Sequence, residues 1–352
     1  MNRIMVKKFL KQSLCSLLLY SGIFGSIKFL SARIRKRALI LCYHRVVIGQ
    51  PDHYSTPGTQ LGLENFRSHL TFLLRNYNVI SLSKLIKELA KGKELPRESY
   101  AVLTFDDGFI DGYTNIFPLL KEFNIPATFF VSPWAVSKGS LHWQDEIWYC
   151  LNVVNRHLTH LRFNSFALPI VSQVDKLNAR RQIVKILSSQ KPKQRDEILL
   201  EIKASLGLAN QDVSGRRLIL TPESISKMAA SALVEWGAHS LTHPMLPLCT
   251  KDQIEIEVKE SKNDLESLLG SPVNYFAYPF GEHTRETADA VRSYGYKAAV
   301  TTNDGLVKAG DDLFLLNRLN VFRDDTFASL ATQKIMRFYL KQTLGFITGE
   351  HI

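Results

Sequence analysis

Two adjacent carboxylates, Asp106 and Asp107, close the apolar run Tyr100-Ala101-Val102-Leu103-Thr104-Phe105 and are followed by Gly108. Neighbouring acids repel, so such a pair is unfavourable unless a cation takes one charge or the two titrate apart. Asp-Asp-Gly is also ordinary turn chemistry, suited to capping the helix pattern that carries Phe117, Leu119, Leu120 and Phe123. Further along, His239 and His243 stand four residues apart in Trp236-Gly237-Ala238-His239-Ser240-Leu241-Thr242-His243-Pro244. On a helix that spacing stacks both imidazoles on one face. Pro244 disfavours a helix continuing through the pair, and a loop after a strand can converge them equally well. Two neutral imidazoles and one carboxylate make a three-ligand set with positions left open for water and substrate, the composition of a catalytic zinc site. The plainer alternative is a capping turn and two surface histidines.

Taken together, these segments resemble the polysaccharide deacetylases of carbohydrate esterase family four, the NodB-homology domain. Thr104 to Gly108 is similar to the first motif of that family, His239 to Pro244 to the second, and Ala277-Tyr278-Pro279-Phe280-Gly281 to the third. The resemblance covers about residues 38 to 325 and implies an α/β fold, a distorted (β/α) barrel of about seven strand–helix units. It implies Asp107, His239 and His243 as metal ligands and Asp106 as general base. It also implies an oxyanion donor in the backbone N–H of Phe280, with Tyr278, Pro279 and Gly281 beside the substrate; Pro279 has no N–H to give. Two departures stand out. Many members have Arg-Pro-Pro-Tyr-Gly where this chain begins with Ala277, so the arginine that orients the base is missing there. The last motif usually carries a leucine followed two residues later by a histidine acting as general acid, and the match here is Leu316-Asn317-Arg318. Arginine stays protonated and does not donate in a catalytic cycle; Arg318 is instead a candidate to replace the orienting arginine by bidentate pairing with Asp106.

The acid must then come from elsewhere. His44 is one candidate, in Leu39-Ile40-Leu41-Cys42-Tyr43-His44-Arg45-Val46, which reads as a first barrel strand ending in polar residues. Functional side chains gather at the carboxyl ends of such strands, although a lone histidine there can also be structural. Trp143, within His142-Trp143-Gln144-Asp145-Glu146, is either the wall of a sugar subsite or core packing at a helix start.

The elements that must position these groups alternate along the chain. Apolar runs predict strands at 78–82, 100–105, 128–131, 233–239, 275–278, 298–301 and 317–321, and helical periodicity predicts helices at 63–75, 251–269 and 285–294. The pattern predicts one large domain over 38–352. Residues 146–221 break it with charged helical sequence at 176–187 and 193–206 and are too long for an ordinary connection, so they are read as a helical insertion.

Charge is unevenly distributed along the chain. Residues 1–37 hold nine basic residues and no acid, so the rest of the chain carries 35 bases against 33 acids. A nearly neutral folded domain argues against nucleic-acid binding, which needs a basic patch on the fold. Gln12 to Ile27 is uncharged and apolar but short of the roughly twenty residues of a comfortable span. Cations flank it on both sides, and no small-residue cleavage site is evident, which predicts a helix associating with an anionic membrane surface, on the cytoplasmic face of the inner membrane. An uncleaved outward-facing anchor is the alternative. Cys15, Cys42, Cys150 and Cys249 are scattered, with no CxxC spacing and no thiolate metal site. A carboxylate–imidazole set suits Zn2+ first, with Co2+ or Ni2+ close behind. The reading predicts a metal-dependent hydrolase that removes an N-acetyl or other N-acyl group from an amino sugar of a surface polysaccharide or lipid-linked glycan. The alternatives are a deformylase or O-acyl esterase using the same centre, and a catalytically silent glycan-binding barrel.

Overall fold

The computed structural model describes residues 36–95, 99–154, 157–188, 190–209 and 218–323, together with Ser21, Ser26, Asp325, Thr326, Ser329, Leu330, Ile335 and Met336. The expected membrane-associating segment therefore falls almost wholly outside the described residues.

Seven parallel strands close on themselves: β1 (Arg37–Tyr43), β2 (Tyr100–Phe105), β3 (Ala127–Val131), β4 (Val234–Ala238), β5 (Tyr275–Ala277), β6 (Ala298–Asp304) and β7 (Leu316–Asn320). Each pairs with the next in sequence, and β7 returns to β1 through Leu41 opposite Leu319 and Cys42 opposite Asn320. This is the distorted (β/α) barrel of seven units. Short strands at Asn78–Val79 and Val307–Lys308 extend β2 and β1 at the margin. Around the barrel run α1 (Leu63–Asn76), α2 (Leu82–Ala90), α3 (Phe117–Phe123), α4 (Pro133–Lys138), α5 (Trp143–Val153), α6 (Gln173–Ser188), α7 (Pro192–Ser205), α8 (Pro222–Ala229), α9 (Lys251–Leu269) and α10 (Arg285–Ser293).

Strand alternation divides the apolar residues between two clusters. Leu39, Leu41 and Tyr43 of β1 pack outward with Leu70 and Leu73 of α1 and with Val258 and Leu265 of α9. Ala38 and Ile40 face Val102, Phe130, Ala277, Val300 and Leu316 in the barrel interior, where α2 adds Leu82, Leu85, Ile86 and Leu89. Continuing that inner alternation toward the carboxyl ends brings Cys42, Thr104 and Arg318 inside.

Between β3 and β4 the chain forms a subdomain with its own apolar cluster, in which Ile147 and Leu151 of α5 meet Ile183 and Leu187 of α6 and Ile202 of α7. It is not all helical: His160–Phe163 and Phe166–Pro169 form an antiparallel hairpin. The predicted strand at 78–82 is cut to two residues because the Ser81 hydroxyl caps α2 by accepting the Lys84 N–H at 3.2 Å.

Candidate active site

Asp107 leaves β2 at the carboxyl end of the barrel, and its Oδ1 lies 3.5 Å from His239 Nε2 and 3.4 Å from His243 Nε2. All three side chains are buried, and one potential ligand atom from each lies within 4.8 Å of the other two. The histidines reach this point from a loop after β4, with no helix through them. Ser240 and His243 have φ of 57° and 58°, and Asp107 and Phe280 have 71° and 60°, so four of the six left-handed non-glycine residues among the described residues sit at this one place. Each such conformation costs about 1–3 kcal/mol and persists only where the surroundings impose it. The loop is imposed largely by Glu257 of α9, whose carboxylate accepts the Leu241 and Thr242 N–H groups at 2.8 Å each and the Thr242 hydroxyl at 2.5 Å. Ser240 Oγ accepts the His243 N–H at 3.0 Å.

His239 donates Nδ1–H to the Ala277 carbonyl at 2.7 Å, which orients the ring with Nε2 toward Asp107. Burial works to lower this imidazole, and the Asp107 carboxylate beside Nε2 outweighs it and raises the group above its usual range. Burial, followed by the nearby His142, pushes His243 down to about 3, so this ring is neutral near pH 7. Burial works to raise Asp107, but the two imidazoles outweigh it and hold the carboxyl well below the usual carboxylate range.

The neighbouring acid has a different environment. Arg318, with 0 % exposure, clamps Asp106 with both ends of its guanidinium, Nη1 to Oδ1 at 2.8 Å and Nη2 to Oδ2 at 2.6 Å. A bulge in β6 between Val300 and Asp304 adjoins this residue, and the Thr301 carbonyl there accepts Arg318 Nε–H at 2.8 Å. Thr104 Oγ1 accepts Nη1–H at 3.0 Å. Burial works to raise Asp106, and the charge and hydrogen bonds of Arg318 reverse it, so this carboxyl also stays low. Cys42 Sγ donates to Asp106 Oδ2 at 3.5 Å. His44 is half-buried, with a potential ligand atom within 4.8 Å of those of Cys42 and Asp106, and its Nδ1 is buried without a hydrogen-bond partner.

The third segment wraps over the histidines. Phe280 stands 5.0 Å from the His243 ring between centroids, and its carbonyl accepts the Thr302 hydroxyl at 2.8 Å. A Cβ at Gly281 would lie 2.0 Å from Thr302 Oγ1 and would have to take φ +76°, so only glycine fits. Tyr278 is fully buried with its hydroxyl on the Phe314 carbonyl at 3.1 Å, which makes its ring core and gives a substrate no face to touch. Trp143 is 5 % exposed and donates Nε1–H to the His243 carbonyl at 3.1 Å, a contact that favours the core-packing alternative over a subsite wall. Two participants escaped the sequence reading. Glu257 had only its place as an acid on the inner side of α9 as a signal, and His142 had only its proximity to Trp143.

Carboxylates and imidazoles thus converge at the carboxyl ends of the strands of a closed parallel barrel, the face on which barrel enzymes carry their sites. The family model for polysaccharide deacetylase matches residues 93–299, more than half of the chain, and the protein belongs to that family. It is similar to YxkH of Bacillus subtilis, 20% identical over 283 residues that span 80% of this chain and 70% of the relative. A stretch of 62 residues, 17% of this chain, is 40% identical to the poly-beta-1,6-N-acetyl-D-glucosamine N-deacetylase of Escherichia coli, of which it covers 9%. Among solved structures, a Streptococcus pyogenes deacetylase in complex with acetate superposes with a TM-score of 0.58 at 20% identity, covering 85% of this chain and 99% of that one. The protein is a deacetylase-family hydrolase by these measures.

Proposed function

We propose that the protein is a metal-dependent hydrolase that removes an N-acetyl group from an amino sugar of a surface polysaccharide or lipid-linked glycan. The observation that carries this reading is the approach of Asp107 Oδ1 to Nε2 of both His239 and His243, beside a second carboxylate clamped by Arg318. One carboxylate oxygen and two imidazole nitrogens, each free of its proton when it holds the ion, suit Zn2+, and Co2+ or Ni2+ by geometry. A bound ion of this kind supplies a Lewis acid for an amide oxygen and brings the acidity of water toward neutral pH. Asp106 acts as the base that takes the proton of the attacking water, and Arg318 fixes the direction of its carboxylate and keeps it ionised. The backbone N–H of Phe280 contributes to holding the oxyanion. His44, with its unpartnered Nδ1, gives the proton that the leaving amine needs. An amino sugar as substrate is supported by the match to the N-acetylglucosamine polymer deacetylase and by acetate in the S. pyogenes structure. Residues 1–37 hold the enzyme at an anionic membrane surface, which favours a membrane-proximal glycan.

Acetate release from N-acetylglucosamine oligomers by zinc-loaded protein tests the reading. Asp106→Asn is expected to lower turnover by about 10²–10⁴-fold while zinc content stays at the wild-type level, and Asp107→Ala to lose both metal and turnover. An Asp106→Asn variant as active as the wild type would remove Asp106 as the base.

A further inference from the structure

We infer that His142 and Trp143, at the start of α5, are positioning residues that lock two metal ligands, Asp107 and His243, into their left-handed backbone conformations. The inference rests on the metal site proposed above. His142 is 3 % exposed; its Nε2–H donates to the Asp107 carbonyl at 3.0 Å, and its ring lies against that of His243 at a centroid distance of 4.4 Å. The next residue completes the grip, because Trp143 Nε1–H donates to the carbonyl of His243 itself. Thus the backbone of each strained ligand is held by one of two consecutive side chains, across sequence separations of 35 and 100 residues. Left-handed non-glycine residues persist only when neighbouring groups over-determine them, and these two hydrogen bonds supply such constraints.

The bracket is itself anchored in the segment between β3 and β4. Trp143 packs in the same apolar cluster as Ile147, Cys150 and Leu151, and the Arg195 guanidinium of α7 stands 5.5 Å from the Trp143 ring centroid. Phe280 borders that cluster, 5.9 Å from Trp143 between ring centroids. The inserted segment therefore reaches the metal ligands through α5, and metal retention is a property it sets.

The test is zinc affinity of the full chain, stripped and reloaded, measured by competition with a chelating dye, with the Co2+ absorption spectrum as a second readout. His142→Ala and Trp143→Phe are each expected to weaken zinc binding by about 10–100-fold and to shift the cobalt bands. With saturating zinc, kcat is expected to fall while KM for the glycan holds. Leu73→Ala, buried on α1 and outside the cluster that holds Trp143, is expected to lower Tm and leave zinc affinity unchanged, which separates positioning from general packing. If the wild type binds zinc, Asp107→Ala does not, and both bracket variants bind like the wild type, the bracket falls and the metal reading stands. A wild type that binds no zinc overturns both.

Discussion

At the scale of single residues the two adjacent acids are distinguished by their partners. Asp107 has only imidazoles at its carboxylate, and Asp106 has a guanidinium in fork-to-fork geometry. The Asp106–Arg318 pair is sealed from water, with side-chain exposures of 2 % and 0 %, so neither charge can be solvated if the other is removed. Breaking a buried pair from one side typically costs about 3–5 kcal/mol. Arg318→Leu is therefore expected to destabilise the protein by about that amount in urea unfolding, and to lose turnover because Asp106 is no longer held. A loss below about 1 kcal/mol, the ordinary size for an exposed ion pair, would show that the interior hydrates and that the clamp contributes little. Lysine at 318 is not a conservative replacement, since it lacks the planar fork.

At the scale of elements, α5 carries more of the site than any other helix, because its start brackets Asp107 and His243 and its first turn buries another acid. Asp145 is 5 % exposed, and burial, with Asp107 adding to it, pushes its carboxyl up to about 8. A raised carboxyl pKa means that the folded state keeps the proton while the unfolded chain gives it up. The contribution of Asp145 is thus fully present below its unfolded value of about 4 and is lost as pH rises toward about 8. Asp145→Asn removes this dependence. Its Tm is expected to exceed that of the wild type at pH 8, with the gap closing toward pH 4. A Tm difference that stayed constant across that range would mean that Asp145 is ionised in the folded state. Helix α9 works at a distance by comparison, with the Glu257 carboxylate shaping the histidine loop through three hydrogen bonds.

At the scale of the whole molecule, a nearly neutral barrel follows a strongly basic N-terminal segment. No helix among the described residues is long and apolar enough to cross a membrane, and residues 1–35 lie outside the description apart from Ser21 and Ser26. Nine cations flanking an apolar stretch predict surface attachment to anionic lipid, each contributing up to about 1 kcal/mol near the headgroups. The full chain is expected to sediment with vesicles containing phosphatidylserine or phosphatidylglycerol. Binding should weaken as salt shortens the screening length, and a chain lacking residues 1–35, which leaves β1 whole, should stay in solution while hydrolysing soluble oligomers at the full rate. Equal binding to neutral phosphatidylcholine vesicles would overturn the electrostatic part of that expectation.

Much of the barrel was legible because its signals are local. Burial on both faces writes a continuous apolar run, as at Tyr100–Phe105, and a capping threonine or glycine marks a helix end, as at Thr250 and Gly270 around α9. The hairpin at 160–169 was missed because its four-residue strands are too short to show a period against helical flanks. Sequence by itself determined which reactive groups the chain supplies: two acids after a buried strand, two histidines at one loop, and an arginine where a histidine is usual. Only the tertiary structure decided how those groups are divided and held. Arg318 meets Asp106 across 212 residues, and His142 and Trp143 grip Asp107 and His243 across 35 and 100. Such pairings arise when the barrel closes and alternate strand positions converge inside it, and a contact made by closure leaves no periodic trace in the chain that makes it.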